Sequence, residues 1–189
     1  MAKTKTDVRE AVMTAARATV QSHGYNALSF RELAKEVGIK SASVHYHFPT
    51  KGDLGAALVR RYTEEGADYL AKLATSDDAT WCMDRYTEIF RSALANDNRM
   101  CLCGIMSAEL DDLPAGVRTE VDKFAEMNVG WLSKVLSRAK SSASDQDLQE
   151  HAMAIFAAIE GAQLIARGCR DIGIYDRTIR AYRATGLIP

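Results

Sequence analysis

The residues from Lys40 to Lys51 carry the densest set of chemically useful side chains in this chain. Lys40, Ser41, Ala42, Ser43, His45, Tyr46, His47 and Lys51 supply cations, hydroxyls, imidazoles and a phenol, and their small neighbours permit close approach. Such groups suit contact with phosphates and base edges. Thr50-Lys51 adds a helix start and a lysine, the ingredients of an anion site. A second unusual stretch is Cys101-Leu-Cys103-Gly104. Cysteines two residues apart on a helix point away from each other, which makes a poor intrahelical disulfide. No Cys or His stands at zinc spacing from them. A thiol at a helix N-terminus near Arg99 would be reactive; the alternative is two small buried hydrophobes. Cys82 and Cys169 read as packing residues.

The elements that position these groups are helical. Val8, Ala11, Val12, Ala15, Ala16 and Val20 share one face of a helix over 8–20, ended by Gly24. Ser29 and Glu32 have the spacing of a capping box, with Leu28 and Leu33 as its hydrophobic staple. Phe30, Leu33, Ala34 and Val37 continue as a helical stripe that stops at Gly38. A short helix over 41–47 ends before Pro49, and a fourth starts at Thr50 with Asp53 as its box partner. Further helices are expected over 80–95, 116–139, 145–168 and 176–185. A short apolar segment lies at 101–110 and a loop at 141–144. No alternating β-branched run marks a strand. The expected class is therefore all-α, with about nine helices.

Composition narrows the function. The chain has 189 residues, 47% hydrophobic and 26% charged, as expected of one or two globular domains. No stretch approaches ~18 apolar residues, so no membrane span is expected. The start of the chain lacks a signal peptide's apolar block, so a cytoplasmic location is expected. Net charge is −1, but residues 1–61 hold ten Lys/Arg against five Asp/Glu, and the remainder fourteen against twenty. A basic N-terminal third points to a polyanion partner, chance scatter being the alternative.

Residues 30–48 thus read as helix, turn at Gly38, helix, the spacing of a helix-turn-helix whose second member enters a major groove. Many helical hairpins share that spacing. The run from Leu28 to Leu54 resembles the DNA-binding signature of the TetR/AcrR family of bacterial transcriptional regulators. Ala34, Gly38-Ile39, Tyr46-His47-Phe48 and Thr50-Lys51 carry the match. Two positions depart from it: Lys40 stands where most members have Ser or Thr, and His45 where most have Tyr. For His45, a phosphate contact and a partly buried packing role both remain open.

The resemblance implies an N-terminal DNA-binding domain over 1–52 and a helical effector-binding and dimerisation domain over 53–189. It implies a homodimer, paired through about 145–185, on a near-palindromic double-stranded DNA operator. The DNA-contacting set would be Ser29, Arg31, Lys40, Ser41, Ala42, Ser43, His45, Tyr46, His47 and Lys51. The function implied is a ligand-responsive repressor released by a small-molecule effector. Some members with a similar cysteine-bearing segment respond to thiol-reactive compounds or small unsaturated acids.

A ligand pocket in the middle helices would use Tyr86, Phe90, Cys101, Cys103, Met106, Phe124, Met127, Asn128, Trp131 and Phe156, each of which also reads as plain core. Asn128 is either a buried amide needing partners or a residue at the stripe's edge. No catalytic, metal or cofactor site is expected. An enzyme using Cys103 with His151 lacks a supporting motif, and a helical interaction module without DNA leaves the basic third unexplained.

Overall fold

The computed structural model describes residues 5–139 and 143–189. Among them are nine α-helices, two short 3-10 turns and no strand, as periodicity predicts. The expected loop at 141–144 falls largely outside the described residues. The helices are α1 (Lys5–His23), α2 (Phe30–Val37), α3 (Ser41–His47), α4 (Lys51–Leu73), α5 (Ala79–Ala95), α6 (Leu102–Ser107), α7 (Ala115–Ala139), α8 (Asp145–Cys169) and α9 (Ile172–Ala184). They form two compact units. The first comprises Met1–Tyr62 with Leu102–Lys123, and the second Thr63–Cys101 with Phe124–Pro189. The division expected at residues 52/53 falls inside α4, and the first unit also takes in α6 and the start of α7.

In the first unit, α1 packs on α2, α3 and α6. Its buried face is Val12, Met13, Ala16 and Val20. Gly24 follows at φ 87°, and a Cβ there would run into the Glu109 carboxylate, so the position needs glycine for conformation and for space. Ser29 occupies the N-cap of α2 with extended backbone, but its side chain makes no capping bond, and Glu32 pairs with Arg31 at 3.1 Å. The expected capping box is therefore not formed there. The staple leucines, Leu28 and Leu33, are both buried. Gly38 takes the left-handed conformation, φ 74° and ψ 40°, and the Ile39 N–H returns to Ala34 O at 2.9 Å. The Thr50–Asp53 box is complete: Thr50 N–H donates to Asp53 Oδ2 at 3.0 Å, and Asp53 N–H to Thr50 Oγ1 at 3.1 Å.

The grouping of residues 102–123 with this unit has a polar and an apolar cause. Glu109 accepts the Tyr25 N–H, and Asn26 Nδ2 donates to Asp112 Oδ2 at 2.6 Å. Arg60 and Lys123 both reach Glu120 Oε1 at 3.1 Å. Burial pushes the Glu120 carboxyl up, and these two cations more than reverse it. Leu102, Met106, Leu113 and Val117 are buried alongside. Gly55 permits the closest approach: a Cβ would lie 2.7 Å from the Tyr25 ring and 3.1 Å from Val117.

In the second unit, α5, α8 and α9 pack on one another. Asp78, Ser144 and Asp171 cap α5, α8 and α9 through their side-chain oxygens. The Asp171 cap starts α9 at Ile172, earlier than the 176 expected from apolar spacing. Tyr175 Oη donates to Thr87 O at 2.8 Å, and Arg91 pairs with Asp176 at 2.8 Å, tying α9 to α5. Trp131 Nε1 donates to Leu70 O at 2.8 Å. Cys82 is buried as expected, but Cys169 is exposed, because α8 ends there at the left-handed Arg170.

One exclusion also needs correcting. α8 is long and apolar enough, by length and composition alone, to cross a membrane. Its alanines and glycines raise its apolar content without a long aliphatic run. It packs against α5 and α9, as a core helix does.

Candidate nucleic-acid interface and effector core

α3 is held by its apolar side. Val44 and Phe48 are buried at 0% and 2% exposure, so neither is available to a partner. Arg9 lies over the Phe48 ring at 5.2 Å. With that side locked, the helix turns its polar groups outward. Lys40, Ala42, His45 and Tyr46 are exposed, while Ser41, Ser43 and His47 are half-buried. Tyr46, at 66%, has the largest fractional exposure of the big apolar side chains. Its ring meets His47 edge-on at 5.2 Å. His45 is exposed, yet its ring packs edge-on to Phe30 at 4.7 Å and its Nδ1 sits 3.4 Å from Pro49 O. His45 thus combines exposure with packing. On α2, Arg31 is exposed and Ser29 half-buried.

Lys51, at the start of α4, has partners within the first unit. Its ammonium donates to Asn26 O at 3.2 Å and sits 4.5 Å over the Tyr25 ring. Burial lowers its pKa, and the Glu109 and Asp112 carboxylates partly restore it. The first turn of α4 meanwhile receives the Asp53 carboxylate on the Thr50 N–H. Lys51 therefore braces the 25–27 turn against α4, and Asp53 already supplies the anion that a helix start favours.

The other predicted residues split between the two units. Cys103 and Met106 are buried on α6 in the first. In the second, Tyr86 stacks on Trp131 at 5.2 Å and meets Phe90 edge-on at 5.3 Å. Phe124 meets Phe156 at 6.2 Å. Asn128 is a buried amide with both ends used: its Oδ1 accepts from Tyr86 Oη at 2.9 Å, and its Nδ2 donates to Phe124 O at 2.8 Å. Cys101 is buried, with its N–H on Gln163 Oε1 at 2.9 Å, and Met127 is half-buried. His151 Nε2 lies 2.7 Å from Leu187 O. Among the described residues no group of His, Cys, Asp and Glu is placed to hold a metal ion.

Periodicity missed several polar residues in core positions. Gln163 is fully buried and also donates to Phe90 O at 2.8 Å, joining α8, α5 and the chain before α6. Glu160, one turn earlier on α8, buries both carboxylate oxygens. Both are polar letters in the apolar stripe of Ile155, Ile159, Ala162 and Ala166. That is the same signal that singled out Asn128.

Known proteins show the same organisation. Residues 12–58 match the model of the tetR family of bacterial regulatory proteins. The HTH-type transcriptional repressor NemR of Escherichia coli is 24% identical over 180 residues, covering 89% of this chain and 88% of that protein. A TetR transcriptional regulator from Legionella pneumophila superposes with a TM-score of 0.87 at 29% identity, over all of this chain and 99% of that one. A TetR-family regulator from Agrobacterium tumefaciens gives 0.87 at 26% identity, over 94% and 96%. These likenesses agree with a groove-sized helix held by Val44 and Phe48 and with an all-helical second unit. The chain is thus similar to TetR-family bacterial transcriptional regulators, in sequence over residues 12–58 and in fold over its length.

Proposed function

We propose that this protein is a ligand-responsive repressor that binds a near-palindromic operator as a homodimer and leaves it when a small molecule occupies the second unit. The observation that carries the reading is α3, anchored by Val44 and Phe48 with Lys40, Ala42, His45 and Tyr46 turned outward. Arg31 on α2 extends that face. A helix so held can enter a major groove without losing its own packing. Family members work as dimers, and α8 supplies a suitable surface here. Met153, Ala154, Ala157, Gly161, Leu164, Ile165 and Gly168 are exposed along one helical stripe. A side chain added at Gly161 or Gly168 would meet open space within the chain. Aliphatics supply burial and small residues close approach, which supports pairing through about 145–185.

Repression, the operator contacts and the effector core of Tyr86, Phe90, Cys101, Phe124, Met127, Asn128, Trp131 and Phe156 belong to this proposal, as do Cys103 and Met106. A thiol-reactive or small unsaturated acid effector is a narrower version. Cys101 and Cys103 are both buried, so it requires the helices around them to open. Gel-shift titration on DNA fragments flanking the protein's own gene tests the whole reading. A fragment retarded by wild type, and less so by Tyr46→Ala, supports it. Equal retardation by both refutes the α3 assignment. Iodoacetamide modification of both thiols with unchanged DNA affinity would remove the thiol-reactive version.

A further inference from the structure

The second unit contains a buried acceptor whose one identified donor is the weak Cys101 thiol. Neither carboxylate oxygen of Glu160 receives a conventional N–H or O–H hydrogen bond, and both are fully buried. Gln163, one turn on along α8, uses its amide on Cys101 N–H and Phe90 O. Tyr86 from α5 and Tyr175 from α9 are within electrostatic reach of Glu160. Each phenol gives its single proton to another acceptor, Tyr86 to Asn128 and Tyr175 to Thr87 O. Arg91, the cation near Tyr175, is held by Asp176. Burial pushes the Glu160 carboxyl up to about 7, and the weak Cys101 thiol donor only partly offsets it. An uncompensated buried carboxylate is costly, and a hydrophobic residue of similar size would remove that cost.

We propose that Glu160 anchors a ligand bearing a cationic hydrogen-bond donor, a primary ammonium or an amidinium on a compact apolar body. Calling this ligand the effector rests on the ligand-responsive reading given above. A fixed frame of satisfied polar groups around one unsatisfied acceptor selects for a donor, because an ion pair of good geometry compensates the buried charge. Tyr86, within electrostatic reach of Glu160, is fully buried against Trp131 and Phe90, so a ligand body reaching it must be apolar and must part that packing. An anionic effector would place its charge against Glu160, so the inference favours cations over small acids.

Isothermal titration of the full chain with benzamidine, benzamide and benzoate tests it. The three share a ring and differ in charge. In HEPES and phosphate at pH 7.0, benzamidine should bind and release about half a proton, because Glu160 must ionise fully; at pH 8.5 the release should vanish. Glu160→Gln should weaken benzamidine by at least ~10-fold and abolish the release, as expected for a lost charge-assisted pair. The proposal falls if benzamide or benzoate binds the wild type as tightly as benzamidine. It falls equally if Glu160→Gln binds unchanged, or if millimolar benzamidine does not bind. Proton release is read on the wild type, so the test survives a variant that folds poorly. A gel shift with benzamidine separates the two readings. Glu160-dependent binding with unchanged DNA affinity keeps the site and rejects its role as the effector site.

Discussion

Two substitutions on α3, two residues apart, should separate recognition from folding. Val44 is fully buried, and Val44→Ala removes two methyl groups. At about 0.8 kcal/mol each, with a further term for the cavity, the loss is about 2–3 kcal/mol. For a chain of this size that lowers the melting midpoint by about 5–10 °C. Tyr46 is 66% exposed, so Tyr46→Ala should change stability by no more than about 0.5 kcal/mol. If the Tyr46 phenol meets DNA, each copy loses about 1–3 kcal/mol of contact. A dimer loses that twice, about 2–6 kcal/mol, which weakens binding by at least ~30-fold. Thermal melting gives the first quantity, and anisotropy titration on a retarded fragment at fixed salt the second. Two outcomes would refute the reasoning: a Tyr46→Ala protein with wild-type affinity, or a Val44→Ala protein with a wild-type midpoint.

Three further outcomes follow from other parts of the chain. Ala157→Arg, which puts a charge in the exposed apolar stripe of α8, should weaken self-association by at least ~100-fold, about 2.7 kcal/mol, in sedimentation equilibrium; an unchanged dimer would place the interface elsewhere. Glu109→Gln replaces a charge-assisted bond to the Tyr25 N–H, so it should cost about 1–2 kcal/mol in urea unfolding and speed exchange of that amide; unaltered exchange contradicts the brace. Glu160 binds its proton more tightly folded than unfolded, so its penalty is absent below about pH 4.5, grows as pH rises and is complete above about 7. Glu160→Gln should therefore match wild-type stability at pH 4.5 and exceed it by up to about 3 kcal/mol at pH 8; a constant difference across that range argues against the buried carboxylate.

Much of the fold was legible because helices announce themselves through spacing. Gly38 sits where a helix must turn left-handed, and the Thr50–Asp53 box forms as its residue types suggest. The Ser29–Glu32 box has equally good spacing but does not form, since Glu32 turns to its neighbour Arg31. Local pattern measures what a side chain can reach and is silent about what competes for it. Packing between distant segments was the harder part. Asn26 meets Asp112 across 86 residues, and no periodicity links them, so the place of 102–123 beside the basic third was not foreseen. The contacts of Lys51 are hidden from local pattern in the same way, because Tyr25 and Asn26 meet it from outside its own helix. In the second unit Asn128 stood out as polar in an apolar stripe. Gln163 and Glu160 carried that signal too, masked by the alanines and glycines around them.

Methylation interference on a retarded fragment is the most direct measurement of the central claim, that two copies of α3 occupy DNA grooves together. Guanine N7 methylation should block binding in two symmetric patches centred about 10 base pairs apart, the ~34–36 Å that separates successive major grooves on one face. Interference in a single patch, interference confined to the minor groove, or no retardation at low salt would contradict it.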